Sequence, residues 1–568
     1  MWIQRYDTLS GADVAAIREH IASLSHRPRI SLLLPVGNAS APAALETIGS
    51  VAAQLYPDWE LCVAVTDPAT ALELRKRSLG DERLKIAMLP PAHDGLTAEG
   101  FALDAATGEF VALLSAGDKL PIHGLYLVAV ELNAHSRADL VYSDEDRINA
   151  RGQRSDPHFK PDWNPSLLQC RDGIGGLSVY RLESVRAVGG FRREFTGVAN
   201  YDLALRVSAR SAPELIRHVP HILYHRRTMP HISAAAGESD ENEPARRAFA
   251  DHLTARGETG TVVPTALPGC HRVVWPLPEP LPQVSLIVPT RDRVHLLRAC
   301  VDGLLHGTRY PALDLIIVDN ESRAPETLDY LRSLDADPRI RVLRIDGPFN
   351  FSALNNRAAE LARGDIIGFI NNDITVIEPG WLDEMVSELS RPGARVGAVG
   401  AKLYYADDTI QHAGLILGLF GIAGHGHRHL PRSASGYCEQ LGLVREVSAV
   451  TAACMLVYRR LFQEVGGFDA DNLAVAFNDV DLCLKLREAG YRIIWTPYAE
   501  LYHLESASRG SDAARKNRAR VGRELAYMRK RWGNMLLRDP FYNPNLTLQD
   551  ESFDLAFPPR PARPWRAH

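Results

Sequence analysis

Short apolar runs recur along the chain, each followed by a stretch whose apolar residues fall three or four apart. In the second half, Val284–Pro289, Leu315–Asp319, Ile340–Ile345 and Ile366–Ile370 read as strands. Residues 294–305, 325–334, 352–363 and 380–390 carry helical spacing between them. The strand runs are apolar throughout rather than alternating, as in strands covered on both faces. This order predicts an α/β fold with a mostly parallel sheet. The first residues predict a short amphipathic helix capped near Ser10.

The pattern occurs twice. "RISLLLPVGN" at 29–38 resembles "QVSLIVPTRD" at 283–292, and "TGEFVALLSAGD" at 107–118 resembles "RGDIIGFINNDI" at 363–374. "VANYDLALRV" at 198–207 resembles "VAFNDVDLCLKL" at 475–486, and "HILYHRR" at 221–227 resembles "AELYHLE" at 499–505. The order is the same in both halves, which predicts two related domains. The chain divides into a helical segment (1–28), a first α/β domain (29–264), a Pro-rich linker (265–282), a second α/β domain (283–510) and a basic helical tail with an extended C-terminus (511–568). The linker's prolines suit extended chain.

In open α/β sheets ligands bind beyond the carboxyl ends of strands. Pro289, Thr290, Arg291 and Asp292 stand at one strand end, Asp319 and Asn320 at another, and Asn371, Asn372 and Asp373 at a third. They should share one crevice. Asp373 reads either as a turn residue or as the ligand of a hard cation such as Mg²⁺ that also holds substrate phosphates. "FNDVDLCLKLREAGY" from Phe477 predicts a helix capped by Asn478. Asp479 in its first turn would be kept ionised by the helix dipole, as a general base must be. Asp481 reads as a dipole partner or an acceptor contact. His503 is either a core group or a metal ligand beside Asp373. "GLFGIAGHGHRH" brings in His425, His427 and His429, whose alternate spacing in a Gly-rich loop reads as flexible surface before a metal site, with His425 an acceptor-contact candidate.

Composition narrows the classes. The 568 residues are 46% hydrophobic and 23% charged, with a formal net charge of −5, so no global basic field calls for nucleic acid. Seven cysteines without a CxxC pair exclude a disulfide framework and suit a reducing cytoplasm. No apolar run is long enough to span a bilayer. Residues 513–532 carry eight Lys/Arg and one Glu. This stretch reads either as a basic helix on the inner face of an anionic membrane or as a solvated helix packing Val521, Leu525 and Met528.

"IIVDNES", "NND", "AVTAACMLVYRRLFQEVGGFD", "FNDVDLCLKLREAGY" and "TPYAELYHLESASRG", in that order, resemble inverting glycosyltransferases of family 2 with the GT-A fold. The likeness covers about 284–510, extends more weakly to 29–228, and is to bacterial enzymes of surface-polysaccharide assembly often described as rhamnosyltransferases. It implies two tandem GT-A-like domains. It also implies a nucleotide-sugar donor (dTDP-rhamnose first, UDP-sugars next), a glycan or lipid-linked acceptor, and Mg²⁺ or Mn²⁺. Residue by residue, it implies that Asp373 and His503 hold the metal and that Asp479 is the base. Pro289, Thr290, Arg291, Asp292, Asp319, Asn320, Asn355, Asn371 and Asn372 would approach the nucleotide-sugar. The family's first acidic metal position is Asn371 here. In the first half Gly117 falls opposite Asp373, Asn200 opposite Asp479 and Thr66 opposite Asp319. Neither an amide nor a glycine replaces a carboxylate, so the first domain is expected to be inactive. One register slip would bring Asp118 into place. "VYSDEDRI" at 141–148 reads as a solvated acidic turn or as a different site. Two rival readings remain: a non-catalytic glycan-binding or scaffold protein, and a bifunctional transferase with two live sites.

Overall fold

The computed structural model describes all residues except 38, 78–79, 90–96, 229–241, 505–517 and 567–568. The repeat is realised as two sheets of the same plan. In the first, the strands run in the order Leu84–Met88, Trp59–Val65, Ile30–Val36, Phe110–Leu113, Ser178–Arg181, Leu140–Ile148 and Arg154–His158, with Ile216–Arg227 beside Leu140–Ile148. In the second, the order is Ile340–Arg344, Leu313–Asp319, Val284–Thr290, Ile366–Ile370, Cys454–Tyr458, Val396–Tyr404, Arg492–His503 and Ile374–Val376. The registers match as well: Ile30 lies beside Phe110, as Val284 lies beside Ile366.

The four leading strands of each sheet are parallel, and the Cys454–Tyr458 and Ser178–Arg181 strands pair antiparallel to them. Leu286, Ile287, Leu315, Ile316, Ile366 and Ile367 are all buried, because helices cover both sheet faces. The helices Val294–His306, Pro325–Leu334, Phe351–Glu360 and Trp381–Leu389 fall where the spacing predicts them. So does the first-domain helix Gly11–Ser23, whose Ser10 cap exchanges hydrogen bonds with Asp13 in a capping box.

Two expectations are corrected. The Pro-rich linker is not simply extended. Thr261–Pro264 and His271–Val274 pair antiparallel, and Cys270, His271, Val273 and Trp275 are buried. Prolines punctuate this segment but leave "HRVV" free to pair and to bury alternate side chains. The acids of "VYSDEDRI" are not in a solvated turn either. They lie on a strand interior, where Asp144 accepts from His218 Nε2 (2.9 Å), Glu145 meets Lys160 Nζ (3.1 Å) and Asp146 meets Arg154 (2.6 Å). Buried charge is tolerable only when paired in this way, and those partners come from distant segments.

The C-terminal segment fastens the halves together. Asn543 donates to Asp144 (2.9 Å), and Trp565 and Arg566 donate to Asp13 (2.8 Å each). Trp2, Phe159 and Ile222 from the first half meet Ile416 and Leu419 of the second and Tyr542, Leu546 and Phe553 of the tail in one apolar cluster.

The Asp144–His218–Asp162 group predicts a pH effect. Burial pushes His218 down, but the two carboxylates more than offset it and raise its pKa to about 9. Its stabilisation is therefore full below the unfolded value of about 6.5 and is lost as pH rises through about 9. The melting temperature should fall across that window, and His218→Gln should flatten the slope. A wild-type profile already flat there would refute the assignment.

Candidate active site

Two of the three strand ends converge on one cleft, while the end carrying Asp319 and Asn320 does not line it. A cleft of about 770 Å³ is lined by Pro289, Thr290, Arg291, Asn371, Asn372, Asp373, His425, Asp479 and His503, among others. Asp373 follows the strand Ile366–Ile370, and the chain then pairs antiparallel with the last long strand, Ile374 opposite His503. This register puts His503 Nε2 3.3 Å from Asp373 Oδ1 and 3.1 Å from Asn371 Nδ2. Asn372 Nδ2 donates to Thr290 Oγ1 (2.9 Å), tying this loop to the end of the first strand.

Asp373 and His503 are both buried, and His503 Nδ1 has no hydrogen-bond partner among the described residues. A carboxylate oxygen and an imidazole nitrogen at one cleft wall fit a divalent cation that takes its other ligands from water and substrate phosphates. Among the described residues no group of three His, Cys, Asp or Glu could close a metal site on its own, so this fit depends on ligands from the substrate.

Asp479 stands in the first turn of the helix Asn478–Glu488. Phe477, at φ +61°, precedes that helix in the cap position predicted for Asn478. A left-handed backbone is costly for an aromatic residue and is held here by its surroundings. Asp479 accepts from Val480 N (2.9 Å), from Ala452 N (3.3 Å) and from the Thr451 hydroxyl. Burial nevertheless pushes its pKa above the ordinary carboxylate value, and these donors offset that only in part. The helix dipole therefore does not dominate as expected from sequence. The result is a stronger base than a surface aspartate.

Other expected residues lie beside or outside the cleft. Asp292 (φ +53°) accepts from Arg323 N and Ala324 N, and the net effect lowers its pKa although burial opposes it. Asp319 accepts from Ser322 N (2.9 Å) and Arg344 (2.8 Å), and Asn320 donates to Ile345 O and Gly347 O. These three shape the loops at the first two strand ends. Asn355 is fully buried, donates to Phe351 O, and does not line the cleft. Its position on the covered face of its helix could not be read from its strand-end neighbours. Asp481 is also fully buried, accepts from Trp532 Nε1 (2.9 Å) and pairs with Lys485 and Arg531, so it anchors the tail helix and does not line the cleft.

The His-rich stretch is ordered, not a flexible surface. Ala423–His425 pairs with Leu415–Leu417, His427 stacks on Phe553 at 3.8 Å, and His429 stacks on Tyr405 at 5.2 Å. Sequence reasoning missed Thr451, Gln411, Phe349, Phe351 and Arg428 on the cleft wall. Arg428 is held by Tyr405 Oη and by Glu551 (3.6 Å) of the tail. The aromatics before and within a helix start were the only local signal.

A buried neighbour fixes the protonation of His425. Thr451 N–H donates to His412 Nε2 (3.4 Å), so His412 carries its proton on Nδ1. His412 Nδ1 is 2.9 Å from His425 Nδ1, and only one proton fits between them. His425 Nδ1 must accept, which leaves its neutral ring an Nε2–H donor. Burial, with His425, Arg445 and His503 adding to it, holds His412 neutral.

In the first domain the matching positions are spent on structure. Lys119 bridges His225 as Ile374 pairs with His503, so the register slip is made and Asp118 takes the place of Asp373. Yet Asp118 accepts from Tyr224 Oη (2.6 Å) and Arg227 N (2.7 Å), and His225 is bonded to Asp146 (2.6 Å). Asn200 bonds Gly175 O and Tyr180 Oη.

Residues 282–523 match the family described as "Glycosyltransferase like family 2". The chain is 43% identical over 564 residues to the uncharacterized protein y4gI of Sinorhizobium fredii, spanning 98% of this chain and 61% of that protein. It is 41% identical over 549 residues to the O-antigen biosynthesis protein RfbC of Myxococcus xanthus, spanning 94% and 42%. The chain therefore covers less than two thirds of either relative. An N-acetylglucosaminyl-diphospho-decaprenol L-rhamnosyltransferase of Mycobacterium tuberculosis is 28% identical over 196 residues, 31% of this chain and 62% of that one. Among solved structures, the mannosyltransferase PcManGT of Pyrobaculum calidifontis, in complex with GDP-Man and Mn²⁺, aligns at 21% identity and a TM-score of 0.34, covering 45% of this chain and 68% of that one.

Histidine-selective ¹⁵N spectra test the paired rings. His412 should show its proton on Nδ1 and His425 on Nε2, the signals being assigned by their loss in His412→Phe and His425→Gln. The opposite tautomers, or a charged ring at neutral pH, would contradict the geometry.

Proposed function

Residues 282–523 belong to glycosyltransferase family 2, and from that premise we propose that the second domain transfers a sugar from a nucleotide-sugar to a hydroxyl of a growing surface glycan or lipid-linked oligosaccharide, with inversion. The observation that carries this reading is the convergence of Asp373, His503 and Asp479 in one cleft with the first strand's Pro289–Arg291. The donor read from the sequence is dTDP-rhamnose before a UDP-sugar, and rhamnose as the transferred sugar draws support from the rhamnosyltransferase relative. The surface-glycan context draws support from the O-antigen relative.

The roles follow from chemistry. Asp373 and His503 would hold Mg²⁺ or Mn²⁺, which supplies positive charge to the leaving diphosphate. Thr290, held by Asn372, fixes the loop on which the nucleotide rests. Asp479 takes the proton of the acceptor hydroxyl. That oxygen bonds to the anomeric carbon as the bond to the diphosphate breaks on the opposite face, so configuration inverts. His425, on the cleft wall, is the candidate acceptor contact. Holding both substrates in line lowers the entropic part of the barrier. The first domain keeps the fold without transfer, because Asp118, His225 and Asn200 are already bonded within it.

Thermal shift against dTDP-, UDP- and GDP-sugars with Mn²⁺, Mg²⁺ or EDTA tests the site. One nucleotide class should stabilise the protein in a metal-dependent way, and Asp373→Ala should abolish that shift. Asp479→Asn should keep the shift and lose transfer by roughly 10²–10⁴-fold. No shift with any donor, or loss of donor binding in Asp479→Asn, would count against these roles.

The raised pKa of Asp479 sets the acid limb of the rate. The base works only when ionised, so kcat/KM should fall as pH drops through a value above the ordinary aspartate pKa of about 3.9. A limb at or below that value would show that Asp479 is not the titrating base.

A further inference from the structure

The basic tail is not absorbed by this mechanism. Helix Arg518–Trp532 packs Glu524, Met528 and Trp532 inward, against the domain. On its opposite side Arg518, Arg523, Arg529 and Lys530 are exposed, and they make no ion pair among the described residues. Arg523 and Lys530 are seven residues apart and so share one face. In a chain of net charge −5 this is a local concentration of uncompensated cations.

Two protruding apolar side chains flank it. The hairpin of Leu415–Leu417 and Ala423–His425 turns through Leu419, which is buried, and Phe420, which is 57% exposed. Phe420 also sits at φ +53°. An exposed aromatic in a left-handed backbone costs stability twice, and such strain marks functional positions. This tip touches the tail. A Cβ on Gly421 would lie 3.1 Å from the Arg529 guanidinium, and one on Gly418 would lie 3.1 Å from Leu536 O. The next residue, Leu537, is 70% exposed. Tip, helix and turn therefore form one surface with apolar points among cations.

We propose that this surface docks on an anionic lipid bilayer, with Phe420 and Leu537 entering the acyl boundary and Arg523, Arg529 and Lys530 meeting the headgroups. The charge sign and the small number of protruding apolar groups fit an interface between water and lipid. A protein partner of stable affinity would need a broader apolar core, and a nucleic acid would gain nothing from an exposed leucine. No helix among the described residues is long and apolar enough to cross a membrane, so the contact is peripheral. The same hairpin lines the cleft through Leu415, Ala423 and His425. Docking would thus hold the cleft's acceptor wall against the bilayer, where a lipid-linked hydroxyl would be presented. That last consequence rests on the proposed transferase reading, whereas the docking itself does not.

Co-sedimentation of the full chain with vesicles tests it, using phosphatidylcholine alone against equal parts phosphatidylcholine and phosphatidylglycerol. The protein should partition onto the anionic vesicles only, and salt should weaken the binding. Reversing the charge of Arg523, Arg529 and Lys530 to Glu should lower the partition coefficient on the order of a hundredfold. Phe420→Gly should lower it about tenfold while leaving the melting temperature unchanged or higher, because glycine accepts the left-handed backbone. That stability readout separates lost docking from lost folding. The proposal is overturned by absence of binding to anionic vesicles at low salt, by equal binding to both vesicle types, or by undiminished binding in both variants. Retention on duplex DNA by a protein that ignores vesicles would overturn it as well.

Discussion

The antiparallel pairing of Ile374 with His503 is the contact on which the candidate site depends. It is a short pairing, three residues on one side, yet it fixes which way Asp373 and His503 face. Side chains alternate along a strand, so a slip of one residue would turn His503 away from the carboxylate. The pairing is secured by burial: Ile374 and Leu501 lie in the apolar core under the cleft. Packing on the inside therefore sets chemistry at the mouth.

The first domain builds the same frame with different polar partners. It keeps the strand order and the bridge to His225, but Tyr224, Arg227 and Asp146 take up the polar groups that the second domain leaves facing the cleft. Each oxygen of the buried Asp118 carboxylate already accepts one hydrogen bond, and His225 is tied to Asp146 instead of facing it. Polar satisfaction and ligand binding compete for the same atoms. The domain then serves by contact: Asn164 bonds the backbone of Glu446, and Phe159 N–H donates to Tyr437 Oη.

The tail has a comparable double position. Its strap reaches back to Asp144 and Asp13 of the first half, and on the way Phe553 stacks on His427 and Glu551 meets Arg428 beside the cleft. Part of the cleft wall is thus held by residues more than a hundred positions away in sequence.

Much of this was legible in the chain. Apolar runs with helical spacing between them determined the α/β class, the repeat determined two domains of one plan, and polar residues at strand ends marked the crevice. These are local signals, set by periodicity and by where a buried strand must stop. Other features were decided only by tertiary structure. Asn355 and Asp481 look like site residues in a one-dimensional reading, and only the covering helices bury them. The acids of "VYSDEDRI" resemble a surface turn until His218, Lys160 and Arg154 arrive from elsewhere. The helix dipole at Asp479 is visible in sequence, whereas the desolvation that raises its pKa is not. Burial is a property of what surrounds a residue, and neighbours distant in sequence leave no mark on its local pattern.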